Sequence, residues 1–218
     1  MSIVAVITGD IVHSSKMSRK QREQLLGQLE AMFVDLDQCI EAAEIFRGDS
    51  FQVLLRQPEK ALRAAVLFRA GLRKIPHQQE DQRQYTDARI AIGVGELSYR
   101  ADSLGMSDGE AFCLSGRGLD EMNYRERLII NTLWDDFNEE MEVSCALSEA
   151  IIGRWTHAQA AIIYSYLLSG KTQQALAKEF GITQGAVSQR LSESGNIGAI
   201  RKLLQRYEKL INKHLSQA

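Results

Sequence analysis

Proline is almost missing, with 2 residues, and the 16 glycines follow no triplet period, so collagen-like and Pro/Gly-rich disordered compositions are excluded. Cysteine is scarce as well. Cys39, Cys113 and Cys145 are odd in number and widely spaced, which sets out neither a disulfide framework nor a zinc knuckle and fits a reducing cytoplasm. No apolar run approaches the roughly 20 residues that cross a bilayer. The apolar run Ile3 to Ile7 lacks a basic leader, so neither a secretory signal nor a membrane partner is expected. There is no Walker loop, no Gly-x-Ser-x-Gly elbow and no Cys/His zinc set. His13, His77, His157 and His214 have no metal-ligand spacing and read as scattered polar residues. What is present is globular: 218 residues, 44% hydrophobic and 25% charged, enough for one large domain or two small ones.

The net charge of -2 hides a split. Residues 1–153 carry 17 Lys and Arg against 25 Asp and Glu, a net of -8; residues 154–218 carry 9 against 3, a net of +6. A compact basic segment on an acidic body points to a polyanionic partner such as double-stranded DNA. The same split would also arise if the two parts paired with each other in one fold.

Residues 3–9 (IVAVITG) read as a buried strand, and Ser18 caps a helix whose apolar positions include Leu25, Leu29, Met32 and Phe33. Residues 44–55 read as a β-hairpin turning at Gly48-Asp49. Pro58 opens a helix to about Lys74, residues 76–86 form a polar loop, and residues 88–95 form a strand. The order β-α-β-β-α-β is the split βαβ, ferredoxin-like arrangement. A short helix near 110–122, a strand at 127–131 and a helix over 133–151 follow, with Trp134 and Trp155 packing a hinge; beyond Arg154 every pattern is helical. The expected architecture is α+β, with a ferredoxin-like domain over 1–153 and an all-α domain over 154–218.

The segment Thr172 to Ser194 carries the strongest motif. Leu176, Ala177 and Phe180 share one face of a short helix, Gly181 follows where positive φ is needed, and Ile182 fills the corner. Thr183 caps a second helix with Val187 and Leu191 on its inner side. That is a helix-turn-helix pattern. It leaves Thr183, Gln184, Ser188, Gln189 and Arg190 outward, side chains suited to base edges. Lys171, with Lys178, Arg201 and Lys202, is placed for phosphates. Residues 155–194, including the entry SGKTQQALA, resemble the helix-turn-helix of sigma-factor region 4 and related bacterial regulators.

In the split βαβ order, the end of the first strand and the turn between the second and third strands meet at one sheet edge, which brings Asp10 and Asp49 together. Two carboxylates there suit a divalent cation with a phosphate; on spacing alone, a loop cap and an ordinary turn residue explain them better. ITGDIVHSS, FRGDSFQVLL, ARIAIGVGE and DGEAFCLSGRGLDEM occur in the order seen in class III nucleotide cyclase domains, and residues 3–135 resemble that family. The resemblance implies metal binding by Asp10 and Asp49, nucleotide binding by Arg117, Mg²⁺ with a nucleotide, and a homodimer. Three positions depart from it: the base-reading Lys is Ile45, the transition-state Asn is Cys113, and the second base-selecting position is Met106. Acids kept and donors lost imply a catalytically degenerate site. A cyclase-like domain followed by a helix-turn-helix is similar to the SatD family of bacterial proteins. The expected function is a cytoplasmic DNA-binding transcriptional regulator with a sensor or dimerisation domain; the alternative is a metal-dependent nucleotide-processing enzyme with a helical tail.

Overall fold

The computed structural model describes residues 2–46, 48–75, 85–192 and 195–217. Most of the loop expected over 76–86 lies outside them. The architecture is α+β. Strand β1 (Ile3–Ile11) leads through a 3-10 turn (Ser14–Lys16) to helix α1 (Arg19–Asp35). Strands β2 (Ala42–Phe46) and β3 (Ser50–Leu55) precede α2 (Ala61–Arg73), and β4 (Ala88–Tyr99) and β5 (Asp108–Gly109) precede α3 (Glu110–Glu121). Strand β6 (Leu128–Asn131) is the last. Five helices then complete the chain: α4 (Asp135–Ile152), α5 (His157–Ser169), α6 (Gln173–Phe180), α7 (Gln184–Ser192) and α8 (Ile197–Leu215).

The sheet runs β2-β3-β1-β4-β5, every neighbour antiparallel, and β6 adds a parallel pair beside β4. Period-two alternation assigns its faces. Ala5, Ile7, Val53, Leu55, Ile90 and Ile92 belong to the main core, which also holds Leu25 and Leu29 of α1 and Leu62, Ala65 and Phe68 of α2. Val4, Val6 and Leu54 point the other way, into a smaller cluster with Ala111 and Phe112 of α3. Helix α3 lies so close to β4 that a Cβ on Gly93 would sit 2.2 Å from the Ala111 carbonyl oxygen. Only glycine fits there. Helices α1 and α5 each start on a capping box, Ser18 with Gln21 and Thr156 with Gln159.

Helix α2 is buried all round, and the burial includes charge. Arg69 has no exposed surface. Its guanidinium donates to both oxygens of Asp87 at 2.9 Å and also to Glu149. Arg73, one turn on, donates to the same carboxylate at 2.9 Å and to the carbonyls of Gly153 (2.8 Å) and Trp155 (2.9 Å). Burial alone would push the Asp87 carboxyl up; the two guanidiniums outweigh it and hold the carboxyl below the usual carboxylate range. At Glu149 burial wins, and the carboxyl is pushed up against the pull of Arg69. These arginines fasten α2 to the joint between α4 and α5.

The core is continuous across that joint. Trp155 is fully buried and donates from Nε1 to the Gly195 carbonyl at 2.9 Å. Tyr164 of α5 donates to Asp35 (2.6 Å), and Tyr207 of α8 donates to the Pro58 carbonyl (2.9 Å). Trp134 packs elsewhere, stacked on His214 at 4.6 Å. That histidine is buried, contrary to its expected place among scattered polar residues, because the end of α8 lies against Trp134 and Phe137. Acidic and basic parts do pair in places, Lys60 with Glu208 and Arg206 with Glu140. Among the described residues, Arg154, Lys178, Arg190, Arg201, Lys202, Lys209 and Lys213 enter no ion pair. No helix of the described residues is long and apolar enough to cross a membrane.

Replacing Asp87 by Asn strands two buried guanidiniums and should cost about 3–5 kcal/mol in urea unfolding. Glu149→Gln, at a carboxyl already disfavoured as an anion, should cost much less. Because the folded-state value of Asp87 is depressed, its contribution is complete above the unfolded value of about 4 and is lost as pH falls through the folded one. Unfolding midpoints measured downward from pH 5 should show that loss in the wild type and not in Asp87→Asn.

Candidate functional site

Two places bring the expected site residues together. The first is the α6–α7 pair. Thr172 caps α6 by accepting from the Ala175 N–H at 3.2 Å. The helix stops at Gly181, whose φ of 63° is left-handed, and the Ile182 N–H closes the turn onto the Ala177 carbonyl at 3.0 Å. Thr183 then caps α7, accepting from the Ala186 N–H at 3.1 Å. Leu176, Ala177, Val187 and Leu191 are buried, and α7 packs against both α5 and α6. Around that seam Thr183, Gln184 and Gln189 are exposed, and Ser188 and Arg190 are half-buried. Lys171 is also exposed, and its ammonium is 2.8 Å from Glu179, which accepts from Ser165 as well. The bond from Lys171 holds the Glu179 carboxyl below its ordinary value. A phosphate contact by Lys171 therefore requires it to exchange partners.

The second place is a polar cavity of about 470 Å³ at the sheet edge, lined by residues 10–15, Asp49, Arg89, Tyr124 and Arg127. Asp10 of β1 lies directly across from Arg89 of β4 in the strand register, and the guanidinium donates to its carboxylate at 3.1 Å. The Asp49 carbonyl accepts from the Ile11 N–H at 2.8 Å, and its carboxylate accepts from the Ser14 hydroxyl at 2.8 Å. Arg127 donates to the carbonyls of Tyr124 and Glu126, both at 2.7 Å. Asp10 and Asp49 thus do share one edge. Arg117 does not join them; it is exposed on α3, away from this cavity. Met106 is 74% exposed, Cys113 is exposed, and Ile45 is paired with Phe51 across β2 and β3.

A metal held between Asp10 and Asp49 needs both carboxylates free, and Asp10 is already engaged by Arg89. No group of three or more His, Cys, Asp or Glu among the described residues could hold a metal ion. The pair as placed does not fit a two-carboxylate metal centre, because one of its carboxylates already carries a guanidinium.

Two features had weak sequence signals. Arg69 and Arg73, four apart on a helix that is apolar apart from them and Arg63, were the only trace of the buried network. A groove of about 550 Å³ between α3, β6 and α4 is rimmed by Asp135, Glu139, Glu142 and Glu149, along one side of α4, and by Glu121 and Glu126 from across it. Cys145 in its floor is inert, since burial pushes the thiol up to about 12. Comparison of the chain with protein-family models and with curated proteins found no match.

The turn geometry makes its own demands. A Cβ on Gly181 would meet nothing within 4 Å, so only its left-handed backbone resists substitution. Gly181→Ala should cost about 1 kcal/mol, and Thr183→Ala, which removes the α7 cap, about the same. Thermal melts followed by circular dichroism check both; no loss from Gly181→Ala would mean the turn relaxes.

Proposed function

We propose that this chain is a bacterial, cytoplasmic DNA-binding regulator of the SatD type, in which α6 and α7 form a helix-turn-helix. The observation that carries the reading is a short helix with a buried seam, Val187 and Leu191, capped by the exposed Thr183 and bearing the exposed polar residues Gln184 and Gln189. A helix of that kind enters the major groove with short polar and forked side chains toward base edges. The basic residues of the C-terminal part that enter no ion pair among the described residues supply a field for phosphates. Residues 154–218 are the DNA-binding domain on this reading, and residues 1–153 are the sensor and dimerisation domain. The strand order β2-β3-β1-β4, with neighbours antiparallel and α1 and α2 sharing one core, supports a ferredoxin-like, cyclase-like assignment for the latter. A homodimer would present two copies of α7 to a palindromic site.

Selection from a random duplex pool, followed by fluorescence anisotropy, tests this. Kd should rise steeply with salt. Gln189→Ala with Arg190→Ala should lose about 1–3 kcal/mol per base contact and relax specificity at defined positions. Lys171→Ala should weaken all sequences alike. No duplex binding at low salt, or equal sequence-blind losses from both variants, would defeat the reading.

A further inference from the structure

The charges around the polar cavity do not cancel completely. Asp10 and Arg89 neutralise each other. Among the described residues Asp49 is half-buried with a hydroxyl on its carboxylate, and Arg127 is half-buried with backbone carbonyls on its guanidinium and feels only the more distant charge of Glu149. Among the described residues neither has an ion-pair partner, yet both line the same cavity of about 470 Å³. Half-buried charges of opposite sign facing one space favour a ligand that answers both. A phosphate alone would meet Arg127 and be repelled by Asp49. A bare divalent cation would meet Asp49 and be repelled by Arg127.

We propose that the Asp10/Asp49/Arg89/Arg127 cavity is an effector site that works without a divalent cation and takes an α-amino acid, its carboxylate on Arg127 and its ammonium on Asp49. The Asp10–Arg89 pair forms a neutral wall and replaces the metal. The site is tied to the C-terminal helices by a continuous run of hydrogen bonds. Val12, in the cavity wall, donates its N–H to the Asp87 carbonyl at 2.9 Å. The Asp87 carboxylate holds Arg73, and Arg73 holds the carbonyls of Gly153 and Trp155 just before α5. The Trp155 indole holds Gly195, just after α7. A ligand that draws Asp49 and Arg127 together acts on the loop from Ile11 to Ser15 and so on the first link of that run. This second part rests on the DNA-binding reading above, since its readout is DNA affinity; the ligand assignment does not.

The test is isothermal titration of the full chain, in EDTA, with each of the common α-amino acids singly, and separately with ATP or GTP plus Mg²⁺. Saturable binding of at least one amino acid in EDTA is expected, weakened about tenfold or more by Asp49→Asn and by Arg127→Gln and unchanged by Arg56→Gln. Should a cavity variant fail to fold, the wild type still decides: the amide and the N-acetyl derivative of the bound amino acid should each lose binding. The proposal is overturned if no amino acid binds in EDTA, if both derivatives bind as well as the parent, or if only a nucleotide with Mg²⁺ binds. For the coupling, amino acid and selected duplex should change each other's affinity by the same factor. Ligand binding with no duplex binding defeats the DNA reading and upholds the site; binding of both with no mutual effect overturns the coupling.

Discussion

Asp87 holds two guanidiniums in a region where none of the three charges could stand alone. Arg69 is wholly buried and Asp87 nearly so, and removing such groups from water costs several kcal/mol per ion. The cost is offset only because the geometry is complete: both carboxylate oxygens are used, and the remaining donors find Glu149 and two backbone carbonyls. Those carbonyls belong to Gly153 and Trp155, so the network fixes where the chain leaves α4 and enters α5. The placement of α6, α7 and α8 follows from that exit and from the Trp155 indole on Gly195.

The start of β4 and the residue before it serve two places. Asp87, just before the strand, closes the buried network on the α2 side, and Arg89, two positions along, faces Asp10 at the sheet edge. A short extended segment transmits displacement well, because a strand held by ladder bonds on both sides does not stretch. Through it the polar cavity at one sheet edge adjoins the network that holds the joint, beyond which lies the α6–α7 pair.

Local patterns were the legible part. The alternation in β1, the cap at Ser18, the Gly181 turn and the Val187/Leu191 seam each depend on neighbours in sequence, and the structure places them as the spacing predicts. The order of strands gave the meeting of Asp10 and Asp49. Arg117 shows where such reasoning stops: a motif fixes a residue's element, whereas the cavity it lines depends on how that element is rotated against the sheet. Gly93 brings α3 onto β4 and leaves Arg117 on the outer side.

By itself the sequence determined the periods, the caps, the turns and the division of charge between the two parts, since all of these are properties of residues a few positions apart. Tertiary structure alone decided that Arg89 would neutralise Asp10, that Arg127 would reach the cavity, and that Asp87 would gather Arg69 and Arg73. Charge pairing depends on distance in space, and it is the packing of α2 and β4 against the α4–α5 joint that sets those distances.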